Sequence, residues 1–218
     1  MSFQGPASAD LANVTTLNQA FLEALAGNDP GIAVPASIAE RLRELGGERR
    51  TRLARAPFLL MAVGEDDPVR WLDMPRRPRT GDLLRTSAIA TQAGTRIAAA
   101  TVAYLWQLSR ANPYAARVVS GASLDWCEQL AGAPLYEVVD FALNEPGLLS
   151  LRFAGDSGFW DRLLTAGTSS EKTVRRAARI CAVQTLLTRS AGQRYQRLAS
   201  AACALPAPPS RVADRELS

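Results

Sequence analysis

Two stretches of this chain run in step. Residues 38–71 read IAERLRELGGERRTRLARAPFLLMAVGEDDPVRW, and residues 126–160 read WCEQLAGAPLYEVVDFALNEPGLLSLRFAGDSGFW. A single-residue gap pairs Glu40 with Glu128, Leu42 with Leu130, Ala54 with Ala142 and Pro57 with Pro146. It also pairs Leu59-Leu60 with Leu148-Leu149, Asp67 with Asp156 and Trp71 with Trp160. Upstream, AFLEALAGNDP from Ala20 matches AYLWQLSRANP from Ala103. A repeat of this size is a small domain rather than a solenoid unit. The chain is therefore expected to hold one helical unit twice.

Each unit opens with an apolar helix, over 14–28 and 83–111. Two short helices follow, 36–45 with 48–56 and 122–131 with 134–144. Pro57 and Pro146 end the second of each pair, because the residue before a proline is driven out of the α region. FLLMAV (58–63) and GLLSLRF (147–153) read as short extended runs that would pair with each other. A short helix carries each Trp, expected to be a core anchor. A long helix closes each unit, from Gly81 in the first and over 170–201 in the second. Thr168 and Glu171 have the spacing of a capping box at its start.

The predicted fold class is all-α: two helical units, each with one short extended apolar segment. The expected boundaries are a flexible N-terminus at 1–12, a divergent first unit at 13–80, a long central helix with the second unit and closing helix at 81–204, and a disordered Pro-rich tail at 205–218. MPRRPRTGD (74–82) is the expected loop between units.

Composition agrees with helix. Of the 218 residues 47% are hydrophobic and only 6% aromatic, and Ala, Leu and Arg abound. The absence of histidine removes the commonest general base and the usual nucleophile pairs. Cys127, Cys181 and Cys203 are too far apart for a metal pair or disulfide framework and read as core thiols. Glu65, Asp66 and Asp67 form a carboxylate cluster in a turn with no partner base, phosphate loop or metal-ligand spacing. Ser157 in GDSGF lacks the His that a nucleophile turn needs. No enzyme, cofactor or metal is expected. With no signal peptide and no apolar run long enough to span a bilayer, the expected location is cytoplasmic.

LAGAPLYEVV (130–139) has helix-turn-helix form: Gly132 for the left-handed turn, Pro134 for the next helix start and Val138 for packing. Its second helix carries Glu137 and Asp140, the wrong sign for phosphates. The counterpart helix in the first unit carries Arg49, Arg50, Arg52 and Arg55. Lys172, Arg175, Arg176 and Arg179 follow an i, i+3, i+4, i+7 stripe on the closing helix. The arginines 49, 50, 52, 55, 175, 176 and 179 are the candidate nucleic-acid contacts, against the plainer reading of solvated faces. Arg76, Arg77 and Arg79 are further loop cations.

From Thr101 to Leu164 the chain resembles FlhD, the smaller subunit of the bacterial flagellar master transcriptional regulator. The resemblance rests on AYLWQL, the small-residue stretch 114–121, LAGAPLYEVVDFA and GLLSLRF, with Leu151-Arg152-Phe153 standing where that family has an aromatic, Arg, Phe run. It implies an all-helical dimer-forming fold acting with a zinc-binding partner, FlhC, that supplies much of the DNA contact. A chain with two such units resembles a fused pseudo-dimer. Family members are about half this length, and the cysteine some use to link the dimer falls at Leu149, so no such disulfide carries over. The resemblance implies a non-enzymatic transcriptional regulator subunit with an FlhC-like or other protein partner and DNA contact. The alternative is a flagellar or secretion assembly adaptor that has lost DNA binding.

Overall fold

The computed structural model describes residues 4–27, 32–72, 74 and 93–203. These residues form ten helices and one two-stranded sheet, so the chain is all-α, as its composition favours. The loop arginines 76, 77 and 79, the helix start at Gly81 and the tail from 205 lie outside the described residues, as does the Cys203 side chain.

The first unit contains α1 (Ser8–Ala26), α2 (Ala36–Arg43), α3 (Gly47–Ala54), β1 (Met61–Ala62) and α4 (Pro68–Leu72). The second contains α5 (Ala93–Ala111), α6 (Pro113–Ser120), α7 (Leu124–Gly132), α8 (Leu135–Asn144), β2 (Ser150–Leu151) and α9 (Ser157–Thr165). The closing helix is α10 (Lys172–Cys203). Helices α1 and α5 pack on each other; α2 and α3 lie on α1, and α6, α7 and α8 on α5.

Several expectations are corrected. The first helix begins at Ser8, earlier than the expected 14: the Ala7 N–H donates to Asp10 Oδ2 at 2.8 Å, and the Tyr104 hydroxyl donates to the Asp10 carbonyl. Residues 113–120 form a helix, α6, where the sequence suggested only small residues. Asn112 caps it by accepting from Ala115 N at 3.0 Å, Pro113 sits in its first turn and Gly121 ends it at φ 72°. A Cβ on Gly121 would meet Leu186, 2.7 Å from its Cγ, so this left-handed corner also lets α10 approach α6. Thr168 does not open α10. It is buried, donates to the Leu164 carbonyl at 2.6 Å, and leaves Ser169 to accept from Glu171 N.

The two extended runs pair antiparallel as expected, Met61 with Leu151 and Ala62 with Ser150. The alignment of 38–71 with 126–160 equates 61 with 150 and 62 with 151, so this register maps onto itself when the two aligned stretches are exchanged. The turns after the strands are also alike. Gly64 and Phe153 both take positive φ, 67° and 52°. Asp67 N donates to Gly64 O at 3.0 Å and Asp156 N to Phe153 O at 2.9 Å. Each aspartate then accepts from the backbone N–H three residues on, Arg70 or Phe159, opening α4 or α9. Gly64 takes its left-handed conformation freely, whereas Phe153 bears a side chain there at a cost of about 1–2 kcal/mol.

Each Trp-bearing helix crosses to the other unit. Trp71 of α4 packs on Trp126 of α7 and Phe141 of α8, with ring centroids 5.2 and 4.9 Å away, and Arg70 pairs with Glu145. Reciprocally, α9 lies on the first unit: Asp161 pairs with Arg41 of α2, and Phe159 sits 6.3 Å from Phe58. Trp71 and Trp160 are both buried, as core anchors should be. The expected units thus share one core.

Two of the three cysteines can be placed. Cys127 is buried and Cys181 is exposed, so the core-thiol reading fails for Cys181. Burial pushes the Cys127 thiol up to about 12, slightly offset by a hydrogen bond with Ser109. In a Cys203→Ser background, a thiol reagent at pH 8 should modify Cys181 at once and Cys127 only on unfolding. Equal rates counted by intact mass would show that the α7 core opens.

Candidate interaction surface

The arginine sets of α3 and α10 are remote in sequence but meet in space. Helix α3 buries Leu53 and Ala54, which directs its basic residues outward toward the turn between α9 and α10. There Arg49 donates through Nε to Thr168 Oγ1 at 3.1 Å and through Nη2 to the Leu164 carbonyl at 2.8 Å. Arg52 donates to the Thr168 carbonyl at 3.4 Å and pairs with Glu48 one turn back at 2.6 Å. From α10, Arg179 donates to the Arg52 carbonyl at 2.9 Å, and Arg175 to the carbonyls of Ser169 and Ser170 at 2.7 and 2.6 Å.

The chemistry is that of helix-end capping. The last carbonyls of a helix have no partner within it and carry its negative dipole end. Arg49 satisfies one of α9 and Arg179 one in the last turn of α3, while Arg52 and Arg175 bond carbonyls of the turn between α9 and α10. Arg50 caps more locally, reaching the Leu45 carbonyl at 3.3 Å. Five candidate contacts (Arg49, Arg50, Arg52, Arg175 and Arg179) therefore donate to main-chain carbonyls. Burial, then the charges of Arg175 and Arg55, lower the pKa of the Arg179 guanidinium. Arg55 and Arg176 differ: both are exposed and neither pairs with a described carboxylate. Lys172, also exposed, behaves like them.

Beside this corner a cavity of about 450 Å3 runs along α10. Pro57, Ile180 and Val183 supply its apolar surface, and Lys172, Arg175, Arg176 and Arg179 its basic edge.

The helix-turn-helix reading of 130–139 changes. Gly132 is the last residue of α7, not a left-handed turn. The turn is the extended pair Ala133-Pro134, and Trp106 Nε1 donates to the Ala133 carbonyl at 2.8 Å. Val138 is fully buried as expected. Asp140 accepts from Asn144 Nδ2 at 3.0 Å, and α8 packs chiefly on α5. The helix α8 thus carries Glu137 and Asp140 and no basic residue, a charge unfavourable to phosphates.

The carboxylate cluster also changes meaning. Glu65 is buried against Arg152, whose Nη1 lies 2.6 Å from Glu65 Oε1. Arg152 also donates to the carbonyls of Leu59 at 2.8 Å and Met61 at 2.6 Å, while Val63 N donates to Glu65 Oε2 at 2.7 Å. This pair is a bolt between the units. Among the described residues no cluster of His, Cys, Asp or Glu could hold a metal ion, and no helix is long and apolar enough to cross a membrane.

Comparison with family models, with curated proteins and with solved structures finds no match to this chain.

Proposed function

We propose that this chain is a non-enzymatic regulator subunit of FlhD type, in which two diverged repeats stand where two protomers would, and that it works in the cytoplasm by binding a protein partner. The observation that carries the reading is the convergence of α3 and α10 into one basic face edged by an apolar groove. Because five of its seven candidate arginines already cap carbonyls, DNA contact is assigned chiefly to the partner. The self-consistent strand register and the matching aspartate-capped turns support duplication.

The test is a DNA-shift titration against salt, with the chain alone and with its co-purified partner. Because so many of the basic-face arginines are held in place by carbonyls, the chain alone should bind DNA weakly, with a shallower log–log salt slope than the complex. The complex should bind more tightly, with a steeper slope. Tight, steeply salt-dependent binding by the chain alone would return the DNA contact to α3 and overturn this division of labour. The adaptor alternative is favoured by the acidic α8, and a stable complex that shifts no DNA would select it.

A further inference from the structure

The groove along α10 has a definite charge pattern. On α10, Lys172, Arg176, Ile180 and Val183 follow each other at helical spacing, so the stripe passes from cationic to apolar within three turns. Ile180 is 49% exposed and lies beside Val183 and Pro57 in the groove. Every charged residue that lines the groove is a cation. Arg175 and Arg179 are held by hydrogen bonds to the carbonyls of Ser169, Ser170 and Arg52, whereas Lys172 and Arg176 are exposed and pair with no described carboxylate.

An apolar floor with a cationic edge is complementary to an amphipathic helix whose apolar stripe is flanked by carboxylates. A second copy of α10 would set like charges against each other, and duplex DNA would leave Ile180, Val183 and Pro57 without an apolar partner. We infer that this groove is the docking site for an acidic amphipathic helix of a partner protein. The inference rests on the assembly reading above for the existence of a partner, and adds where it binds and with what chemistry.

Two labelled peptides of about 18 residues, or five helical turns, test it. They share one leucine stripe, flanked by Glu in one and by Lys in the other. Titrated into the full chain, the Glu peptide should bind about tenfold more tightly or better, the worth of a few rim charge pairs. The double variant Lys172→Glu/Arg176→Glu should reverse the preference, and Ile180→Glu should abolish binding of both peptides. All three side chains are exposed, and unchanged thermal melts would show that the variants fold.

Equal affinities, no saturable binding, or a preference indifferent to the charge reversal would overturn the inference. So would displacement of the Glu peptide by duplex DNA, or by self-association of the chain. If a partner still co-purifies while the peptides show no preference, the groove assignment fails and the assembly reading stands. If no partner co-purifies but the Glu peptide binds selectively, the assembly reading fails instead.

Discussion

Arg152→Met should cost about 3–5 kcal/mol of unfolding free energy, the usual penalty for removing one member of a buried ion pair. The side chain is 6% exposed and holds three groups of the first unit at once: the Glu65 carboxylate and the carbonyls of Leu59 and Met61. The variant leaves Glu65 charged and nearly sealed from water, and leaves both carbonyls short of a donor. Urea unfolding at neutral pH measures the loss. Adding Glu65→Leu should restore part of it, because an apolar pair is often tolerated where a lone charge is not. A loss below about 1 kcal/mol, the scale of a solvated surface pair, would mean that water reaches Glu65 and that the two units are not bolted here.

Asn18→Asp should be comparably severe. Asn18 is fully buried in the middle of α1, where asparagine is a poor helix former. Its Nδ2 donates to the carbonyls of Ala54 at 3.1 Å and Phe58 at 2.9 Å, and its Oδ1 accepts from Leu60 N at 2.8 Å. It thereby fastens the end of α3 and the strand approach to α1. Aspartate is the same size but sets a second oxygen against two carbonyls, so a cost of about 3 kcal/mol or more is expected at pH 7. The repulsion favours the protonated acid in the folded state, which raises its folded pKa above the unfolded value of about 3.9. The variant's stability should therefore be best preserved below that value and lost as pH rises through the folded pKa. A variant whose deficit relative to wild type is the same at pH 4 and pH 7 would contradict this geometry.

Much of the fold was legible because helix and core leave periodic marks. The prolines closing α3 and α8, the two apolar runs and the paired Trp residues all lie where the repeat put them. Helix α6 was missed because its apolar face is mostly Ala and Val, although Asn112-Pro113 and Gly121 are the usual punctuation of a helix. Cys181 was misjudged because an apolar neighbourhood in sequence says little about which helix face stays uncovered.

The candidate surface was legible only in part. Both arginine sets were visible as spacing, but spacing cannot tell a free guanidinium from one capping a helix end. Arg49 and Leu164 lie 115 residues apart in sequence, so only the tertiary packing brings them together. Likewise, nothing local to Asn18 or Glu65 names Leu60 or Arg152 as its partner.

The sequence by itself determined that this chain is helical, and where its two short strands and the buried Trp71 and Trp160 lie. Helical period and proline stereochemistry act over a few residues and are written locally. Only the tertiary structure decided that α4 and α9 cross to the opposite units, that Arg152 bolts the two together, and that five of the seven candidate arginines are spent on main-chain carbonyls. Those outcomes depend on which buried polar group finds which partner across the core, a requirement imposed by exclusion of water and not by any neighbour in sequence.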